Sequence, residues 1–244
     1  MEIKNKVIII ITGATSGIGR AIAIELKKAG GIVIVSGRRR ESKDSDIPTD
    51  VLINAEFIKC DVRNIDEIKN LIDTVVRKYG RIDVLINNAG IVTFSSLHDL
   101  TLEEYEEVMN TNLRSAVFAS KFALEYMLKQ ETGGVIINIS SVSGMEAEPD
   151  MIVYAISKAG MNSLTASAAV KYGEKVRFVA ICPGYIRTKI RGTYELPKEE
   201  LELIPMKRQG TPEEVAKLVR HVIENDYING SLLVIDGGLF QKVT

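Results

Sequence analysis

A chain of 244 residues with a formal net charge of -1 fits one α/β domain and has no basic excess to make nucleic acid its main partner. Hydrophobic residues make up 45% and charged residues 26%, enough for a full core, yet no apolar run reaches membrane-span length. Met1-Glu2-Ile3-Lys4-Asn5-Lys6 and the short Val-Ile run after it lack the pattern of a secretory leader, so a cytoplasmic location is expected.

Short β-branched runs alternate with longer helical periods, the pattern of repeated βαβ units around a parallel sheet. A first strand over Val7–Ile11 runs into Thr12-Gly13-Ala14-Thr15-Ser16-Gly17-Ile18-Gly19 and a helix over Gly17–Lys28. Glycines there allow a tight turn and close approach of a pyrophosphate to the helix N-terminus. Such a turn can be purely structural; the strand before it and the helix after it favour the dinucleotide.

The second strand, Ile32–Ser36, ends in Gly37-Arg38-Arg39-Arg40. A carboxylate at this place would accept hydrogen bonds from a ribose diol and repel a 2′-phosphate. Glycine and arginines instead offer a phosphate seat, favouring NADP(H) over NAD(H), with a solvated basic loop as the plainer alternative. The stretch from Arg38 to Glu56 is polar, carries Pro48 and shows no helical period, so it reads as an irregular crossover.

Strand Phe57–Cys60 leads into Asp61-Val62 and a helix over Ile65–Lys78; strand Val84–Asn87 ends in Asn87-Asn88-Ala89-Gly90. A long helical stretch over Leu102–Lys129 contains Asn110-Thr111-Asn112-Leu113, and since asparagine is a poor interior helix residue a local kink is expected at Asn112. Strand Val135–Ile139 is followed by three candidate hydroxyl donors, Ser140, Ser141 and Ser143. A helix over Tyr154–Tyr172 puts Tyr154 and Lys158 on one face, where an ammonium would lower a phenol pKa from its ordinary value of about 10. Strand Arg177–Ile181, the turn Pro183-Gly184, a helix over Pro212–Glu224 and strand Leu232–Ile235 complete the pattern. His98 and His221 have no metal-spaced partner, so no metal is expected.

Thr12-Gly13-x-x-x-Gly17-Ile18-Gly19, Asn87-Asn88-Ala89-Gly90, Asn112, Ser141, Tyr154-x-x-x-Lys158 and Pro183-Gly184 fall in the order and spacing of the short-chain dehydrogenases/reductases. The chain resembles that family over essentially its whole length, most of all its 3-oxoacyl-[acyl-carrier-protein] reductase-like members. The resemblance implies a single Rossmann-type doubly wound domain over 1–244, with a seven-stranded parallel sheet in the order 3-2-1-4-5-6-7 and helices on both faces. In that order Cys60 and Cys182 end strands about 24 Å apart, beyond the reach of a disulfide, and are expected to be buried free thiols.

The resemblance also implies roles. Tyr154 is the acid/base. Ser141, thirteen residues before it, is the oxyanion donor, and both meet the substrate. Lys158 lowers the tyrosine pKa and grips the nicotinamide ribose, and Asn112 holds a relay water. Gly13, Thr15, Ser16, Gly17, Ile18 and Gly19 cradle the diphosphate; Ser36, Arg38 and Arg39 meet the 2′-phosphate; Asp61 and Val62 meet the adenine. Asn87, Ala89 and Gly90 line the nicotinamide ribose, Pro183, Gly184, Ile186 and Thr188 bind the carboxamide and diphosphate, and a lid covers about 189–204. Val179 departs from the asparagine usual in relatives.

The partner implied is a small carbonyl or alcohol, in a homotetramer built on the Leu102–Lys129 and Tyr154–Tyr172 helices and an exposed Leu239-Phe240. Rival readings are a 3-oxoacyl-carrier-protein reductase, a sugar (glucose-type) dehydrogenase and a non-catalytic NADP(H) sensor. Glu131 and Glu174 stand about where carrier-protein reductases carry docking arginines, which favours small free carbonyls.

Overall fold

A computed structural model of the protein describes residues 1–3, 7–39, 55–192 and 195–243. The strands are β1 (Ile8–Ile11), β2 (Ile32–Gly37), β3 (Glu56–Lys59), β4 (Val84–Asn87), β5 (Gly134–Ile139), β6 (Val176–Pro183) and β7 (Leu232–Ile235). They form one parallel sheet in the order β3-β2-β1-β4-β5-β6-β7, as the resemblance implies. The helices are α1 (Gly17–Lys28), α2 (Ile65–Tyr79), α3 (Leu102–Met109), α4 (Ser115–Met127), α5 (Ile152–Tyr172), α6 (Lys198–Leu203), α7 (Pro212–Glu224) and α8 (Leu239–Val243).

Strand β1 shows why these runs are apolar throughout. Ile9 and Ile11 enter one core with Ile22, Leu26, Val215 and Val219 of α1 and α7. Ile8 and Ile10 enter the other, with Leu71 and Ile72 of α2 and Ala119 and Phe122 of α4. A strand covered on both faces has no solvent side on which to place polar residues. Val179, on β6 next to the edge strand, is fully buried in the first core. Strand β6 is longer than the expected Arg177–Ile181 because it is paired on both sides, with β5 and β7.

The long helix expected over Leu102–Lys129 is divided. Asn110–Arg114 form a π-turn between α3 and α4, which is the form the expected distortion at Asn112 takes. The irregular crossover from Arg38 to Glu56 falls largely outside the described residues. Cys60 and Cys182 are buried and free. Among the described residues no helix is long and apolar enough to cross a membrane.

One expectation is overturned. Leu239 is 5% exposed because its side chain forms part of the wall of the pocket described below. The exposed apolar surface nearby is instead on the edge strand β7, at Leu232 (36%) and Val234 (38%).

Candidate active site

All seven strands point their carboxyl ends to one edge, and β1 and β4 part there, where the strand order reverses. The crevice between them is stitched by side chains. Thr12 Oγ1 accepts from the backbone N–H groups of Asn88 (3.1 Å) and Ala89 (3.2 Å), and Asn88 Nδ2 donates to the carbonyls of Thr12 (2.9 Å) and Gly13 (3.0 Å). Gly13 has φ 63°, and a Cβ there would stand 2.8 Å from Ala89 Cα, so no larger residue fits.

Above this floor runs a groove of about 460 Å³. Of the residues expected at a cofactor, Gly13, Thr15, Ser16, Gly17, Ile18, Arg38, Asp61, Val62, Ala89, Gly90, Tyr154, Lys158, Pro183, Gly184, Ile186 and Thr188 line it. The start of α1 has neither a side-chain cap nor an acidic residue in its first turn, which leaves its N–H groups and positive dipole end for an anion. These features fit a dinucleotide.

Four expected residues are not brought to the groove. Gly19 lies beneath it, where a Cβ would meet Asn88 Nδ2 at 2.3 Å. Ser36 is fully buried under the turn, its Oγ donating to the Ile11 carbonyl at 3.5 Å. Asn87 turns into the sheet, donating to Asn138 Oδ1 (2.8 Å) and Ser120 Oγ (3.0 Å). Arg39 is exposed and away from the lining. Asp61 is held bidentately by Arg63, at 3.0 and 2.7 Å, which keeps its carboxyl below the usual range, with Arg38 adding a smaller effect in the same direction.

A second cavity, of about 280 Å³, opens beside the groove, and Ser141 and Tyr154 belong to the walls of both. Ser141 precedes a short turn, its Oγ accepting from the Ser143 N–H at 3.2 Å. Its rivals are committed elsewhere: Ser140 Oγ donates to Asn162 Oδ1 (2.7 Å) and Ser143 Oγ to Glu148 Oε1 (2.6 Å). Lys158 Nζ lies 5.5 Å from the centre of the Tyr154 ring and donates to the Ile139 carbonyl at 2.8 Å. Asn112 Nδ2 donates to the Ile91 carbonyl (2.9 Å) and Ser157 Oγ (3.1 Å), and its Oδ1 accepts from the Ile91 N–H (2.9 Å).

The lowered phenol pKa expected of Tyr154 is not found in the protein alone. Burial pushes it up to about 12; a hydrogen bond with Ser141 opposes this and the charge of Glu148 adds to it. Burial also pushes Lys158 down to about 8. Desolvation acts against both charged forms and is the largest cause of each shift.

Sequence reasoning missed Arg20, Arg63 and Arg187 on the groove, and Phe94, Glu146, Glu148 and Tyr185 on the cavity. Lys189 and Arg191 fall in the stretch expected as a lid and Asn88 in the Asn87-Asn88-Ala89-Gly90 motif, though none of the three was singled out. Most follow strand ends, so the segments were open to nomination, but which side chain turns inward is a tertiary matter. Glu131 and Glu174 precede β5 and β6 and so lie at the amino edge of the sheet, opposite the pocket. Within one chain they are not at its mouth and set no docking charge there.

A family model described as enoyl-(acyl carrier protein) reductase matches residues 13–240. The 3-oxoacyl-[acyl-carrier-protein] reductase FabG of Thermotoga maritima is 38% identical, over 98% of this chain and 99% of that protein. The 3-oxoacyl-[acyl-carrier-protein] reductase of Synechocystis is 36% identical, over 94% and 95%. Among solved structures, ligand-free aldohexose dehydrogenase of Thermoplasma acidophilum is 33% identical with a TM-score of 0.86, over 97% of this chain and 94% of that one.

Proposed function

Because this chain belongs to the short-chain dehydrogenase/reductase family of oxidoreductases, we propose that it interconverts a small carbonyl compound and its alcohol using NADP(H). What carries the reading is the position of Ser141 and Tyr154 on the wall shared by groove and cavity, with Lys158 and Asn112 behind them. The nicotinamide, when bound, supplies or accepts a hydride at the substrate carbon.

In reduction Tyr154, protonated at neutral pH, gives its proton to the substrate oxygen while Ser141 donates a hydrogen bond that steadies the developing charge. Lys158 holds the nicotinamide ribose and returns a proton to the phenol, and Asn112 places the water that connects it to solvent. Arg38 pairs with the 2′-phosphate, and Gly37 leaves that corner free of the carboxylate that would repel it. The protein is proposed to work in the cytoplasm as a homotetramer.

A second reading, reduction of 3-oxoacyl groups on a carrier protein, is favoured by the two reductases of that name at 38% and 36% identity. Following NADPH absorbance against a panel of carbonyls tests both. Oxidation of NADPH with a free ketone or keto ester is expected; NADPH binding without turnover of any carbonyl, carrier-bound ones included, would leave the sensor reading in its place.

A further inference from the structure

The cavity beside Ser141 and Tyr154 has an unequal charge. Its described lining residues of charged type are Glu146, Glu148, Glu195, Glu200 and Arg191. The one cation is already engaged: Arg191 pairs with Glu200 through Nη1 (2.5 Å) and Nη2 (3.4 Å) and lies between the rings of Phe94 (5.4 Å) and Tyr185 (5.2 Å). That leaves carboxylates in excess next to the reacting centre.

Two of them are built into the catalytic loop. Glu148 is fixed by the 2.6 Å bond from Ser143, whose own N–H is bonded to Ser141 Oγ, so its position is tied to that of the oxyanion donor. Glu146 has a buried Oε2 with no hydrogen-bond partner. Burial and the neighbouring charge of Glu148 raise the Glu146 carboxyl above its ordinary range, and Glu148 is felt by Tyr154 and Tyr185 as well. Ionised carboxylates only accept hydrogen bonds, and a buried acceptor without a donor is costly. Apolar surface from Val92, Phe94 and Leu239 completes the wall.

Resting on the oxidoreductase reading above, we propose that Glu148 and Glu146 are specificity-determining residues that select a polyhydroxylated substrate without an anionic group, an aldose or polyol whose hydroxyls beside the reacting carbon donate to them. Several acceptors at separate points call for several donors spread along the substrate, and vicinal hydroxyls provide them. A carboxylate or phosphate in the same place meets like charge with no free cation among the described lining residues.

The test measures kcat/KM with NADP⁺ for neutral aldoses and alditols, a uronic acid of matching carbon skeleton and cyclohexanol, and with NADPH for a 3-oxoacyl thioester. The neutral sugars should exceed the uronic acid and cyclohexanol at least tenfold at low salt. The gap to the uronic acid should narrow at 1 M salt, where the screening length falls to about 3 Å. Glu148→Gln should lower the ratio of neutral sugar to uronic acid at least fivefold, a ratio that partial misfolding leaves intact. Should that variant not fold, the salt dependence of the wild-type ratio and Glu146→Gln give the same reading. Equal or better turnover of the uronic acid, cyclohexanol or the thioester overturns the proposal while leaving the oxidoreductase reading standing. Turnover of nothing at all overturns both.

Discussion

The side chain of Asn112 is bonded to both backbone polar groups of Ile91, each at 2.9 Å, so a residue in a π-turn fixes the loop that leaves β4. The widened turn seats that side chain over Gly90, where an added Cβ would meet Asn112 Oδ1 at 3.5 Å and Lys158 Nζ at 3.6 Å. Asn112→Ala leaves two backbone groups without these partners and should cost about 1–3 kcal/mol of stability. Urea unfolding measures it. A loss within experimental error would show that the loop holds itself.

Tyr154→Phe should lower kcat by a factor of about 10²–10⁴ while NADPH affinity stays nearly unchanged, because the groove holds the cofactor through many other residues. Steady-state rates and a fluorescence titration separate the two effects. A variant keeping more than about a tenth of the wild-type kcat would remove Tyr154 from the chemistry.

Arg38→Ala should weaken NADPH binding by about 1.5–3 kcal/mol and NADH binding far less, since only NADPH carries the 2′-phosphate. Titrating both cofactors against both proteins checks this. Equal losses would assign the phosphate seat elsewhere, Arg63 being the next cation on the groove.

Lys158 links stability to pH. Its pKa falls from 10.5 to about 8 on folding, so between those values the unfolded chain binds more protons than the folded one, and stability rises with pH. Lys158→Met, which removes the buried ammonium, should therefore be more stable relative to wild type at pH 7 than at pH 10, by up to about 3 kcal/mol. Above about pH 10 the raised Tyr154 acts in the opposite sense in both proteins. Thermal midpoints across pH 7–10 decide the matter; a constant difference between the two proteins would mean that Lys158 carries no such penalty.

Light scattering at micromolar concentration should give a tetramer or, failing that, a dimer. Helix α5 presents Ile156 at 48% and Val170 at 91% exposure, and β7 adds Leu232 and Val234, surfaces that a partner copy would cover. A mass near 26.9 kDa would refute this.

The sheet was legible because its inner strands are buried on both faces, so runs such as Ile8–Ile11 announce themselves without any periodic signal. Tyr154 and Lys158 were legible because they stand one turn apart on α5, and Ser141 through the family interval that precedes Tyr154. Less legible were matters set by packing. Asn87 and Asn88 are neighbours of one type, and only the sheet decides that the first turns inward to Asn138 and the second towards Thr12. The π-turn is one residue wider than a helical turn and leaves the apolar period of Leu102–Lys129 almost untouched. For Tyr154 the charge of Lys158 was readable and the degree of desolvation was not. Leu239 reads as an exposed tail until α8 is seen folded against the cavity.

The stitching of Thr12 to Asn88 also orders the events of assembly. Its bonds join residues 76 positions apart, so the nucleotide floor cannot take shape while β4 is still being made. The apolar side of α1, through Ile22 and Leu26, waits longer for Val215 and Val219 of α7, and the ion pair between Glu25 and Arg220 spans 195 positions. Pairing at such separations is slow. During synthesis the oldest part of the chain is therefore the last to be covered, and a stalled or truncated product that lacks α7 leaves that helix open to chaperones and to other unfinished chains.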